Sequence, residues 1–307
     1  MSAPVESTAR RREAIDTFAA VAMIVLTLSW GLNGVAAKIA NQGYSPLFLS
    51  VARSVIGGVL VFAWCRWRGI ELFARDRTLV PGIVAGLLFG LEFILLFVGL
   101  DYTSVGRSSL MINTMPFWVL IGGHFLLGER ITLAKLGGLV LAFGGVVLVF
   151  FDQLSSPGPN AIVGDIMSLA AGLLWAATTF VIRRSTLAEA QPEKVLLYQL
   201  AVTAVMTAPL MLLAGPIIRE FSVVPTTALL FQALYVVAFT YAFWFWLIGR
   251  YSASGLSSFV FLTPAFGVFC GSIILDEPMT MKMFMALGLI AAGLIVVNRR
   301  PAQAAGA

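Results

Sequence analysis

Ten stretches of about 20 mostly apolar residues run through the chain, each long enough for an α-helix to cross the hydrocarbon layer of a membrane. They cover 17–40, 46–66, 78–100, 104–127, 133–151, 163–184, 193–214, 226–249, 252–275 and 280–298. The fold class this implies is an all-α polytopic membrane protein with ten transmembrane helices. Connections such as Asp101–Thr103 and Arg250–Ser252 are so short that consecutive helices are expected to be antiparallel neighbours, and no segment remains for a soluble domain.

Composition removes the competing classes. Hydrophobic residues make up 59% of the chain and charged residues 11%, whereas a soluble domain is about a quarter charged. Disorder is incompatible with that hydrophobicity, and an outer-membrane barrel would show apolar and polar residues alternating along each strand. The apolar part of the first stretch, Phe18 to Ala37, exceeds the roughly 7–15 residues of a signal sequence. Despite Arg10, Arg11 and Arg12 before it, it reads as a retained helix.

Lys and Arg set the expected orientation. With the N-terminus in the cytoplasm, fifteen of the twenty lie on the cytoplasmic side; Lys38, Arg107, Arg219 and Lys282 lie opposite, and Arg53 falls inside the second span. Residues 1–16 and 299–307 are then cytoplasmic tails, and 152–162 is a periplasmic linker between halves 17–151 and 163–298. The net charge of +5 follows from this topology and implies no nucleic-acid partner. Cys65 and Cys270 fall near opposite membrane faces and are not expected to pair.

The halves repeat one another. Tyr102-Thr103-Ser104-Val105-Gly106-Arg107-Ser108-Ser109 matches Tyr251-Ser252-Ala253-Ser254-Gly255-Leu256-Ser257-Ser258, Thr114 and Pro116 match Thr263 and Pro264 after a one-residue slip, and Leu127-Gly128-Glu129 matches Leu275-Asp276-Glu277. Leu28-Ser29-Trp30-Gly31 parallels Leu173-Leu174-Trp175-Ala176. A unit of five spans is odd, so the second copy must enter the membrane from the opposite side. Two inverted-topology five-helix repeats around a central cavity are an arrangement of secondary transporters. Glu129 and Glu277 each precede a helix whose N-terminus favours an acid, and are read as structural.

Polar groups within the hydrocarbon are costly and therefore candidates for function. Glu92 is the carboxylate that lies deep inside a span, roughly 12 Å from the outer end of the third helix; Arg53 and Asn33 lie roughly 10 Å deep and Asn113 roughly 13 Å. Glu92 is an ion-pair or hydrogen-bond partner of Arg53, a proton-coupling acid, or a substrate contact. Gly82, Gly86 and Gly90 form a packing stripe, and Glu92 points about 200° away from Gly90. Pro116 and Pro264, in the middle of equivalent spans, are expected to kink them and to serve as hinges or as static bends.

A cavity wall of Trp30, Asn33, Glu92, Phe93 and Asn113 from the first half, with Trp175, Thr178, Tyr241, Ser257 and Phe261 from the second, would be apolar with few polar points. It suits a hydrophobic amino acid better than a phosphate. The lone His124 has no companion ligands, so no metal is expected; there is no phosphate-binding Gly-x-x-x-x-Gly-Lys motif, no other cofactor is implied, and no nucleophile and base pair suggests an enzyme.

Trp30-Gly31, Asn33, Lys38, Pro46, Arg53, Pro116, Gly128-Glu129-Arg130-Ile131-Thr132 and Gly144-Gly145-Val146, echoed by Trp175, Pro264, Glu277-Pro278 and Gly293, resemble the EamA-type domain of the drug/metabolite transporter superfamily, present twice over 17–298. The second copy departs from the pattern at Thr178, in place of the helix-one Asn, and at Gln199, in place of an Arg, so a polar site is expected mostly from the first half. The resemblance implies ten helices around a cavity and export of small metabolites, and is greatest to bacterial exporters of amino acids, including aromatic ones. The expectation is therefore a monomeric exporter of the bacterial inner membrane working by alternating access, with lipid and a small metabolite as its partners. The alternatives are a drug or other metabolite carrier, proton-coupled or facilitative, or a non-transporting scaffold.

Overall fold

The computed structural model describes residues 15–74, 76–99, 102–151, 160–213, 215–274 and 281–298, with the side chains of Phe97, Val105 and Leu213 left aside. Helices α1 (Thr17–Gly43), α2 (Pro46–Trp67) and α3 (Leu79–Gly99) are the first three spans. The fourth is divided into α4 (Val105–Ile112) and α5 (Met115–Leu127), followed by α6 (Leu133–Phe150), α7 (Ala161–Arg184) and α8 (Pro192–Leu213). The eighth consists of α9 (Val223–Phe231), a π-helical segment (Gln232–Thr240) and α10 (Tyr241–Arg250). The ninth joins α11 (Ala253–Ser258) to α12 (Leu262–Ile274) through a 3₁₀ turn, and α13 (Met281–Asn298) is the tenth. Among the described residues, ten helical spans are long and apolar enough to cross a membrane.

Local chemistry fixes where the helices start and stop. Asp16 accepts the Ala19 N–H at 2.9 Å to begin α1, and Ser45, with Pro46 behind it, begins α2. Ser104, Thr132 and Ser252 cap α4, α6 and α11 in the same way. Gly128, in the left-handed region at φ 71°, ends α5, a conformation that a side chain would strain.

Packing departs from the expectation drawn from short loops. The most extensive contacts join the two halves: α6 with α13, α2 with α8, α3 with α7 and α8, and α1 with α12 and α9. Successive spans such as α1 and α2 touch much less. A short loop holds only two helix ends together, whereas the stripes of small residues decide which faces can meet. At α6 and α13 a methyl group on Gly138 would lie 2.7 Å from the Gly293 carbonyl oxygen, so the two backbones are in contact. Gly82, Gly86 and Gly90 on α3 do form a packing face, receiving Tyr198, Val202 and Met206 of α8. Advancing each span by five maps the contact of the third with the sixth onto that of the eighth with the first, and that of the first with the ninth onto that of the sixth with the fourth.

Both halves interrupt a span at corresponding places. The fourth turns at Asn113–Thr114, and the ninth tightens at Phe259–Phe261. Pro116 and Pro264 therefore sit in the first turns of α5 and α12 rather than in mid-helix. The first N–H groups of a helix have no partner within it, so a proline is accommodated there and marks the break instead of bending a continuous helix.

Candidate functional site

Trp30, near the middle of α1, is the hub of an aromatic cluster. Its ring makes edge contacts with Trp175 of α7 at 6.3 Å, Tyr241 at 6.5 Å and Trp244 at 5.5 Å between centroids. Its Nε1 donates to Thr240 Oγ1 at 3.0 Å, the last residue of the π-helical segment. Phe89 of α3 packs on Phe93 at 4.9 Å and on Tyr241 at 6.1 Å. These rings enclose a cavity of about 250 Å³, at the small end of the roughly 300–1,000 Å³ usual for ligand pockets.

Eight of the residues read from the sequence as cavity wall line this one space: Trp30, Asn33, Glu92, Phe93, Asn113, Trp175, Thr178 and Tyr241. Pro264 lines it as well, but Pro116 does not. Ser257 and Phe261 are elsewhere. Ser257 is buried with its hydroxyl on the Ser254 carbonyl at 3.3 Å, and Phe261 is buried against Phe117 and Phe143; of the 3₁₀ turn Phe259–Phe261, it is Val260 that lines the cavity. Phe89, Trp244, Phe245, Ser109 and Thr263 also line the cavity and were not anticipated. Helical spacing holds a signal for three of them, since Phe89 lies three residues before Glu92, and Trp244 and Phe245 lie three and four after Tyr241.

The polar lining offers acceptors. Among the described residues, Asn33 Oδ1, Glu92 Oε2, Asn113 Oδ1 and Thr263 Oγ1 have no hydrogen-bond partner. Asn113 is oriented by its Nδ2, which donates to the Ser109 carbonyl at 2.7 Å and leaves the oxygen facing inward. Arg53 stands behind the wall, its guanidinium 4.2 Å over the Phe93 ring and in electrostatic contact with both Glu92 and Tyr241.

Glu129 has a partner that the sequence did not suggest. Instead of serving α6, which Thr132 caps, its carboxylate accepts the backbone N–H groups of Ala253 (2.9 Å) and Ser254 (3.3 Å) and the Ser254 hydroxyl, at the start of α11. Arg183 at the end of α7 pairs with it at 3.1 Å, and Lys135 donates to Ser254 Oγ at 3.3 Å. Tyr251 donates to Asp16 at 3.0 Å, so this cluster lies at the end of the bundle where α1 begins. At the opposite end Arg107 pairs with Asp165 of α7, which also accepts from Thr103 Oγ1 at 2.7 Å. Glu277 lies outside the described residues. His124 Nδ1 meets the Glu129 carbonyl at 3.1 Å, and no group of three metal-ligating side chains occurs among the described residues. Cys65 and Cys270 are both buried and unpaired.

Ten helical spans among the described residues that are long and apolar enough to cross a membrane, with an aromatic cavity carrying a few inward polar groups between them, are the build of a membrane transporter. The chain belongs to the EamA-like transporter family, which matches residues 17–151 and again 162–299. Among curated relatives, the uncharacterized transporter YoaV of Bacillus subtilis is 27% identical, over 89% of this chain and 94% of its own. A protein of Escherichia coli named "probable amino-acid metabolite efflux pump" is 25% identical, over 90% and 93%. One solved crystal structure shares the fold with a TM-score of 0.79 at 20% identity, covering 91% of this chain and 97% of that one.

Proposed function

We propose that this transporter exports small amphiphilic metabolites, amino acids with apolar or aromatic side chains foremost, by alternating access between its two halves. The observation that carries this reading is the pairing of unmet acceptors with aromatic rings in one cavity. Asn33 Oδ1, Asn113 Oδ1 and Glu92 Oε2 together suit an ammonium group, a donor of three hydrogen bonds, and the faces around Trp30, Trp175 and Tyr241 suit a ring or an aliphatic chain. Relatives named as amino-acid metabolite efflux pumps support the same class.

With the termini in the cytoplasm of a bacterial inner membrane, the Glu129–Arg183–Ser254 cluster is the cytoplasmic closure, and loading from that side requires it to part. Lining residues Leu96 and Ser109 lie within about a turn of the outer ends of α3 and α4, which favours release outward. Counterflow in proteoliposomes with a panel of labelled amino acids, with and without a pH gradient, tests the reading. Saturable exchange of aromatic and large aliphatic amino acids is the expected result. Absence of exchange for every amino acid in the panel overturns it.

A further inference from the structure

A second recess, of about 680 Å³, lies on the flank of the bundle between α2 and the eighth span, behind the helices that line the central cavity. It begins where two helices part. At Gly57 they touch: a methyl group there would meet Val237 Cγ1 at 2.7 Å and the Ala233 carbonyl oxygen at 3.2 Å. Beyond this crossing Leu60, Val61 and Trp64 face Ala238 and Ala242, and the small alanines leave a groove. From Leu234 to Trp246 the wall runs at most about 18 Å, the α-helical 1.5 Å per residue being an upper figure for its π-helical part, near the roughly 15 Å depth of one leaflet's hydrocarbon. An apolar recess of this kind does not hold ordered water, and in a bilayer hydrocarbon chains are what can fill it.

The mouth of the groove is charged. The Arg250 guanidinium lies 4.0 Å over the Trp246 ring and Arg68 lies 5.6 Å over Trp64, at the end of the bundle where α1 begins. Stacking occupies the face of a guanidinium and leaves most of its N–H edge available; Arg250 uses one N–H on the Trp246 carbonyl, at 3.5 Å. Glu193 lines the same recess and makes no hydrogen bond or ion pair among the described residues. Glu71 and Glu189 line an adjoining recess that Arg68 and Glu193 share. Two guanidinium groups call for a phosphate, while the carboxylates repel a headgroup of net negative charge and call for a hydrogen-bonding cation.

We propose that this groove is a binding site for a phospholipid with a primary ammonium headgroup, phosphatidylethanolamine: an acyl chain between α2 and the eighth span, phosphate on Arg68 and Arg250, ammonium on Glu193. The trimethylated headgroup of phosphatidylcholine has no N–H to give Glu193, and phosphatidylglycerol has no cation at all.

The test is native mass spectrometry and thermal melting of the delipidated full-length protein titrated with phosphatidylethanolamine, phosphatidylcholine or phosphatidylglycerol of identical acyl chains. One phosphatidylethanolamine per protein should be retained about tenfold more tightly than either other lipid, the equivalent of one charge-assisted hydrogen bond. Glu193→Gln should bring it down to the phosphatidylcholine level. Ala242→Trp should fill the groove and remove the adduct, with Ala238→Leu as the milder variant should the first fail to fold. Equal retention of the three lipids, a preference for phosphatidylglycerol, or an adduct indifferent to these substitutions overturns the proposal.

Discussion

Trp30 Nε1 and Thr240 Oγ1, 210 residues apart in the chain and 3.0 Å apart in space, join the centre of the first span to the end of the π-helical segment of the eighth. Thr240 in turn donates to the Val236 carbonyl at 2.6 Å, and the Tyr241 N–H also bonds Val236, five residues back. π-Helical turns are uncommon and concentrate at functional sites. Here one is tied to the ring on which the cavity's aromatic contacts converge.

Trp30→Phe keeps an aromatic ring and removes the donor. Loss of one such bond is worth about 1 kcal/mol, or roughly fivefold in affinity. Counterflow should show a raised half-saturation concentration with a small fall in melting temperature; wild-type values of both would sever the link between Thr240 and the cavity.

Glu129→Ala removes one partner of Arg183 and the carboxylate acceptors at the N-terminus of α11. Breaking a buried pair from one side costs about 3–5 kcal/mol, an upper figure here because Glu129 is partly accessible. With Cys65 and Cys270 replaced, a cysteine introduced at Thr179 in the cavity wall should become labelled faster from the side where α1 begins. An unchanged labelling rate would show that this cluster does not control access.

Glu92→Gln retains size and hydrogen-bonding capacity but cannot exchange a proton. If Glu92 couples transport to protons, counterflow should persist in the variant while accumulation driven by a pH gradient is lost. Gradient-driven accumulation at the wild-type level would remove the coupling role.

Asp76, in the loop before α3, accepts from Lys194 Nζ at 2.7 Å and from Thr78 Oγ1 at 2.6 Å, and these partners hold its carboxyl well below the usual carboxylate range. The folded form therefore binds this proton less readily than the unfolded chain. The stability it contributes is present above the ordinary Asp value of about 3.9 and fades as pH falls below it. Asp76→Asn should lower the melting temperature slightly at pH 7, by a gap that begins to narrow only as pH is taken below about 4 and keeps narrowing toward the low folded value, as measured in detergent; a gap that stays constant on acidification would contradict the assignment.

Pro116→Ala and Pro264→Ala should change stability by no more than about 1 kcal/mol, because a first-turn proline breaks no helical hydrogen bond. If the interrupted spans act as hinges, transport should slow in both variants. Wild-type rates in both would assign the breaks to packing alone.

Much of this was legible in the chain. Apolar length gave the ten spans, since the cost of unpaired backbone in hydrocarbon leaves the helix as the local solution. Depth along those spans brought Asn33, Glu92 and Asn113 to one level, and Tyr241 was reached through the repeat; all four line the cavity. Ser257 and Phe261 do not line it, because which face of the ninth span meets the cavity is set by the packing of the halves, and Val260, not its neighbour Phe261, takes that place. Short loops suggested neighbours that the packing did not favour, because contact between helix faces depends on which small residues meet, as at Gly138 and Gly293.

The sequence by itself determined the class, the number of spans, the five-span repeat and the short list of polar residues that a membrane interior tolerates only with a reason. Each follows from a count along the chain: hydrophobic length, period, or depth at a fixed rise per residue. Only the tertiary structure decided that Glu129 serves α11 across 124 residues, that Trp30 holds Thr240, and that α2 and the eighth span separate into a groove beyond Gly57. Those relationships depend on how faces from opposite halves pack, and packing is a property of the assembled bundle that no local stretch encodes.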